Sequence, residues 1–291
     1  MRVLITGCYG QVGHCLVQQL AGKAEVLAVD REQLDITNEA AVNDTVAEFK
    51  PDIIINAAAH TAVDKAEDEI ELSYAINRDG PKFLAMAAES AGAAILHIST
   101  DYVFAGNKSG LYGETDETDP QGVYGESKLA GEDAVIEACS KYIILRTAWV
   151  FGQHGNNFVK TMLRLAKDRD SLGIVGDQFG GPTDADDIAK ALVTITNQIA
   201  NGSDVEYGVY HFSGAPHVSW FEFAQTIFDK ALEQKLLVKA PQLSSIATTE
   251  FPTPAKRPAN SKLDTSKIEK AFNIEPSDWR FALSDLKPYM K

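Results

Sequence analysis

Tyr124 and Lys128 close the stretch Tyr124-Gly125-Glu126-Ser127-Lys128. On a helix this spacing puts both side chains on one face. An ammonium beside a phenol favours the phenolate and lowers a pKa that starts near 10. A phenol tuned in this way gives a proton to a developing alkoxide and recovers it from solvent. Upstream, Ser99-Thr100-Asp101-Tyr102-Val103-Phe104 follows an apolar run. If that run is a parallel strand, its carboxyl end is where a ligand sits. Thr100 is then placed to donate to a substrate carbonyl, and Asp101 to orient a substrate hydroxyl. Taken singly, Tyr124/Lys128 reads equally as a surface pair, and Ser99 to Asp101 as an ordinary turn.

A second group lies at the start of the chain. Gly7-Cys8-Tyr9-Gly10-Gln11-Val12-Gly13 follows the apolar run Val3-Leu4-Ile5 and opens an amphipathic stretch. In such a turn the first glycine permits the bend, the next lets backbone approach a pyrophosphate, and the third allows close helix–strand packing. The expected cofactor is NADPH or NADH, its phosphates on the amides of Gly10, Gln11, Val12 and Gly13. Asp30 ends the second candidate strand near the roughly 20-residue offset where a carboxylate meets the adenine ribose. Asp30 favours NADH, whereas the adjacent Arg31 suits the extra phosphate of NADPH, and the two readings stay open. Asp35 and Ile36 continue toward adenine. Ala57-Ala58-Ala59-His60-Thr61 ends the third strand with small side chains that let a ribose lie against it, or that simply pack under a helix.

The elements that must position these groups are legible in the apolar pattern. Candidate strands at 2–6, 25–29, 52–56, 94–98 and 142–147 are nearly continuous in Val, Ile and Leu, as strands buried on both faces are. Helix-like stretches fall near 11–21, 39–49, 66–91 (broken around Asn77-Gly80-Pro81) and 125–139. The alternation predicts an α/β fold, a doubly wound parallel sheet of Rossmann type. Residues 1–150 read as the dinucleotide-binding domain. Residues 151–291 read as a smaller, mainly substrate-binding C-terminal lobe, with some segments returning to the sheet. Helices are expected near 157–168, 184–200 and 219–233, and the Pro/Ser/Thr-rich stretch 240–262 as a long ordered loop.

Bulk composition narrows the partners. A net charge of -14 repels nucleic acid and acidic membranes. No run approaches the roughly 18 apolar residues of a membrane helix, and Met1 leads straight into a strand rather than a signal peptide. Cys8, Cys15 and Cys139 are odd in number and lack a CxxC spacing, which suits a reducing cytoplasm. His14, His60, His97, His154, His211 and His217 show no ligand spacing, so they read as structural or surface residues, and no metal is expected.

Gly7–Gly13, Ala57–Thr61, Ser99–Phe104 and Tyr124–Lys128 together resemble extended short-chain dehydrogenases. Ser99–Gly106 is close to the STDYVFDG stretch of dTDP-4-dehydrorhamnose reductases, with Ala105 in place of the acidic residue. Arg146–Gly152, Asn157–Val159, Asp177–Thr183 and Arg257–Ser261 agree as well, so the resemblance covers essentially the whole chain. It implies reduction of the C4 ketone of dTDP-4-dehydro-L-rhamnose to dTDP-L-rhamnose. It also implies a catalytic Thr100, Tyr124 and Lys128, the latter two touching the cofactor. Asp101 and Trp149 would meet the deoxysugar, Trp149 as an apolar plate. Asn157, Gln178, Thr183 and Arg257 would serve the nucleotide end, Arg257 as a charge-assisted donor to diphosphate. Some members dimerise through a metal held partly by an acidic residue of the first helix. Here His14-Cys15 stand at that place with no carboxylate, so the resemblance does not extend to a bridging metal, and monomer and homodimer both stay open. Two other classes remain: a non-catalytic regulatory subunit like the β subunit of methionine adenosyltransferase, and an enzyme on another nucleotide-linked deoxysugar. Dehydratases of this class place Asp-Glu after the catalytic Thr. Asp101-Tyr102 follows it here, which favours simple reduction.

Overall fold

The computed structural model describes residues 1–290. Six strands build the main sheet: β1 (Arg2–Thr6), β2 (Glu25–Val29), β3 (Ile53–Asn56), β4 (Ala94–Thr100), β5 (Tyr142–Thr147) and β6 (Gly208–His211). Their order is β6-β5-β4-β3-β1-β2, and every neighbouring pair is parallel. Successive side chains of a strand point to opposite faces. Val3 and Ile5 therefore join Ile53, Ile55, Leu96 and Leu145 in one core. Leu4 joins Ile54, Ile95 and Ile144 in another. A strand buried on both sides has no polar position to alternate with, which explains the unbroken apolar runs. Helices Gln11–Leu20 and Ala185–Ala200 cover the first face through Leu16, Leu20, Ile188, Leu192 and Ile195. Helices Glu39–Phe49, Gly80–Ala91 and Val123–Ala138 cover the second through Val42, Val46, Leu84, Ala88 and Val135.

The order of strands reverses at β1, which has β2 on one side and β3 on the other. Connections leave to opposite faces there, and a crevice opens beyond the strand ends. A third core lies outside the sheet, where Phe151, Val159, Met162, Ile174, Phe223, Ile227 and Trp279 pack together. It joins helices Phe158–Leu165 and Trp220–Glu233. The second of these starts at a capping box: Glu222 donates its backbone N–H to Ser219 Oγ at 3.1 Å and accepts from the Ser219 amide at 2.7 Å. Three stretches from beyond residue 150 go back to the sheet layer: the helix Ala185–Ala200, β6, and the helix Ser266–Phe272, whose Ile268 and Phe272 join the first core.

Two local expectations change and one is refined. The break expected around Asn77-Gly80-Pro81 is present as a π-turn. Two short helices, Val63–Ala66 and Ile70–Tyr74, run into a π-turn at Ala75–Asp79, and the helix Gly80–Ala91 continues from it. Pro81 stands in its first turn, where a missing N–H costs nothing. The stretch 240–262 is not all loop. Gln242–Ile246 pairs in parallel with Ser171–Val175, because the hydrogen bonds of an edge strand supply an order that a Ser-rich sequence does not advertise. β6 was not among the expected strands: Gly208-Val209-Tyr210-His211 lacks the Val/Ile/Leu run that marks the equally short β3.

Candidate functional site

The crevice at β1 and β3 holds a cavity of about 260 Å³ lined by Gly7, Gly10, Asp30, Arg31, Leu34, Ile36 and Ala57 to Ala59. Gly7 has φ +69°, and a Cβ there would come within 2.7 Å of the Ala58 backbone. A Cβ at Gly13 would overlap the Gly7 carbonyl oxygen. The helix Gln11–Leu20 opens at Gly10 with no capping side chain, so its first amides stay free to meet an anion. Backbone cradle, uncapped helix and apolar floor together fit a dinucleotide. Arg31 is exposed and only loosely paired with Asp35 at 3.8 Å. Asp30 accepts from the Glu32 amide at 2.9 Å. Asp35 is taken up by Thr37, which donates from its hydroxyl and its amide and holds the carboxylate below its usual pKa. Val12 faces the core, Gln11 accepts from Asn157 at 3.0 Å, and Thr61 lies on the surface away from the lining residues.

At the carboxyl end of β4, Thr100 and Asp101 are buried. The Thr100 hydroxyl donates to Asp101 Oδ1 at 3.1 Å and accepts from the Tyr102 amide at 3.2 Å. Asp101 Oδ2 makes no well-formed hydrogen bond, and burial pushes this carboxyl up to about 6 against the opposing Ser261 and Thr100 hydroxyls. Tyr124 stands in the first turn of Val123–Ala138, one residue before Gly125, where a Cβ would overlap the Tyr102 carbonyl oxygen. Gly131, two turns on, makes room for the Asn77 carbonyl in the same way. These two glycines let the helix lie against the π-turn and the β4 exit loop. Burial raises the Tyr124 phenol to about 12, with a hydrogen bond to Thr100 opposing. Lys128 is 2% exposed, and Nζ donates to the Ile98 carbonyl at 2.8 Å. Burial lowers its pKa to about 8 against the pull of Glu132. The pair thus shares a helix face, but the lysine is held by β4 rather than by the phenol. The lowered phenol pKa expected from the spacing is reversed, because desolvation outweighs any charge that reaches the ring.

A second cavity of about 490 Å³ lies between the β4 exit and the third core. Trp149, Trp220, Phe158 and Phe251 give it aromatic walls, and Tyr102, Gln178, Arg257, Asp64 and Ser261 bring polar groups. Trp149 stacks on Trp220 with ring centroids 3.5 Å apart. It reaches this pose from a left-handed backbone, φ +51°, over Gly180, where a Cβ would lie 2.5 Å from the indole. Arg257 Nη2 meets Asp64 Oδ2 at 2.7 Å, and Gln178 donates to Thr248 Oγ1 at 3.1 Å. Tyr102 packs edge-on against Tyr124 at 5.4 Å, so the phenol stands one ring from this cavity.

Two expected nucleotide contacts do not come to either cavity. Thr183 is fully buried, and its hydroxyl donates toward the Ala148 and Gly181 carbonyls and accepts from the Gly214 amide. Asn157 caps the helix Phe158–Leu165, accepting from Lys160 N at 3.2 Å, and donates to Gly152 O and Gln11. Their hydrogen-bonding capacity is spent on the chain itself. Conversely, Trp220 and Phe251 line this cavity with no sequence signal beyond being aromatic, and Phe158 lines it from within the Asn157–Val159 stretch that carries the resemblance.

The family model described as RmlD substrate binding domain matches residues 1–289. A dTDP-4-dehydrorhamnose reductase of Aggregatibacter actinomycetemcomitans is 54% identical over 99% of each chain. One from Escherichia coli K12 is 43% identical over 96% of this chain and 95% of the relative. Among solved structures, the Clostridium acetobutylicum dTDP-4-dehydrorhamnose reductase superposes with a TM-score of 0.90 at 43% identity, covering 98% of this chain and 97% of that one. The Bacillus anthracis enzyme in complex with NADP gives 0.89 at 40%, covering 97% and 96%.

Proposed function

The chain belongs to the RmlD substrate binding domain family, and on that premise we propose that it reduces the C4 ketone of dTDP-4-dehydro-L-rhamnose to dTDP-L-rhamnose. The observation that carries this reading is that Tyr124 stands beside Thr100 at the end of β4, with Lys128 one helical turn on and bonded to β4, while a dinucleotide crevice and an aromatic cavity open nearby. Gly7 to Gly13 and Ala57 to Ala59 would hold NADPH or NADH, which would supply the hydride. Thr100 donates to the ketone oxygen and orients it. Tyr124 Oη gives that oxygen its proton. The phenol stays protonated at neutral pH, so its proton is there to give, although burial that raises it to about 12 makes it a weaker acid than a free phenol. Asp101 receives a sugar hydroxyl, and the aromatic wall that Trp149 forms with Trp220 and Phe158 receives the apolar side of the 6-deoxy ring. Arg257 exchanges Asp64 for the diphosphate. Residues 151–291 serve mainly as the substrate lobe.

The test is product analysis by mass and NMR after incubation with dTDP-4-dehydrorhamnose and each cofactor. Formation of dTDP-L-rhamnose supports the reading. Cofactor binding with no turnover points to the regulatory class instead, and turnover only with another nucleotide-linked ketosugar reassigns the substrate. The same reading places the chain in the cytoplasm with a small-molecule substrate as partner. Its cysteines are free and buried, and no helix among the described residues is long and apolar enough to cross a membrane.

Two variants probe the binding halves separately. Arg31→Ala is expected to weaken NADPH relative to NADH by about 1–3 kcal/mol, the range of a lost charge-assisted contact. Equal changes in kcat/KM for both cofactors would show that Arg31 does not read the phosphate. Trp149→Ala is expected to raise KM for the nucleotide sugar while leaving cofactor Kd near its original value. Loss of cofactor binding and folding together with activity would instead make Trp149 a packing residue.

A further inference from the structure

His97 has no place in the chemistry described so far. It is fully buried on β4, between Asn56 on one side and Lys128 on the other. Its Nδ1 is 2.9 Å from Asn56 Nδ2, and its Nε2 is 3.3 Å from Lys128 Nζ. The direction of these contacts follows from the far end of the chain of bonds. Asn56 Oδ1 accepts from the Ala58 backbone N–H at 3.2 Å and from the Thr6 hydroxyl at 2.6 Å. A backbone N–H only donates, so the amide oxygen must face Ala58, and the amide nitrogen must face His97. Nδ1 is then an acceptor. A neutral imidazole carries one N–H, and here it stands on Nε2, aimed at the lysine. Burial and the neighbouring lysine keep the ring neutral.

An ammonium has three N–H groups and no lone pair, so it cannot accept from Nε2–H. A neutral amine accepts there and still donates to the Ile98 carbonyl. We propose that His97 is a positioning residue: its asparagine-locked tautomer donates to Lys128 Nζ and stabilises the amine form of that lysine. The proposal rests on the reductase reading for its use. After Tyr124 gives its proton to the substrate oxygen, the phenolate takes a proton from Lys128. Lys128 is left as the amine that His97 favours, until solvent returns one proton. His97 thereby lowers the cost of refilling the acid. The charged group that acts on the lysine from its own helix is Glu132, and Tyr124 stands one turn before it on that helix. Arg146 on β5 is paired with Glu132, and Asp101 at the end of β4 acts on Tyr124. Among the groups bonded to Nζ, His97 and the Ile98 carbonyl, the imidazole is the one whose tautomer decides between amine and ammonium.

The decisive measurement uses the cofactor-free chain, so it is independent of turnover. Long-range proton–nitrogen NMR of the ring reads the tautomer directly. A protonated Nε2 with a bare Nδ1 is expected, and a protonated Nδ1 overturns the proposal. The titration of Lys128 is followed through its labelled Cε, assigned by loss of the signal in Lys128→Met. His97→Leu is expected to raise the midpoint by about one pH unit or more, and His97→Gln, which keeps an N–H donor at the Nε2 position, to restore it. A midpoint unmoved in His97→Leu, or moved equally in both variants, overturns it. If His97→Leu does not fold, the wild-type tautomer and His97→Gln decide. A correct tautomer with no turnover on the ketosugar would leave this proposal standing and fault only the assigned reaction.

Discussion

Tyr124→Phe is expected to lower kcat by about 10²–10⁴-fold, the usual contribution of a positioned general acid. The change removes one hydroxyl and keeps the ring, so the edge-on packing against Tyr102 survives. Cofactor affinity, read by fluorescence titration, is expected to stay within a few-fold of its original value, because the dinucleotide crevice is lined by residues that follow β1, β2 and β3 and by Ile76. Lys128→Met is expected to be at least as damaging, since it removes both the proton source behind the phenol and a contact expected with the cofactor ribose. Thr100→Val is expected to cost less, about 1–3 kcal/mol for one hydrogen bond to the substrate oxygen. The ranking is as informative as the size. A Tyr124→Phe enzyme with near-normal kcat would remove the phenol from the mechanism, whatever the other variants did.

Glu132→Gln is expected to cost about 3–5 kcal/mol of stability, because it leaves a buried guanidinium uncompensated. Arg146 and Glu132 meet through Nε at 3.0 and 3.1 Å and through Nη2 at 2.6 Å, with side chains 5% and 1% exposed. Ser99 donates to the same carboxylate, and the Phe104 ring lies 5.1 Å from the guanidinium carbon. The pair ties the Tyr124 helix to β5 one turn beyond Lys128. A loss of that size corresponds to a fall in Tm on the order of 10 °C for a chain of this length. The double variant Arg146→Met with Glu132→Leu is expected to recover most of it, since two buried charges replaced by apolar groups lose both desolvation penalties. Thermal unfolding of the three proteins checks this. A single variant destabilised by less than about 1 kcal/mol would mean that water reaches the pair.

The sequence by itself determined the sheet and the cofactor turn. β1, β3, β4 and β5 are recognisable because burial on both faces leaves no polar position in the strand, and that requirement is local. Gly7 is recognisable because φ +69° excludes other side chains, and Gly13 because the turn leaves no room for a Cβ. Tyr124 and Lys128 are readable as a pair because helical spacing is also local. What only the tertiary structure decided is what each polar group faces. Thr183 looked available and is enclosed; Trp149 gains its stacking partner, Trp220, from a separate helix. The charge state of the Tyr124/Lys128 unit depends on His97, 31 positions before the lysine, and on the amide of Asn56 beyond it. Desolvation and the direction of a hydrogen bond depend on everything packed around a group, and chain spacing carries neither. The sequence therefore picks out a candidate acid and its lysine, and the fold sets the surroundings that decide which of them holds the proton.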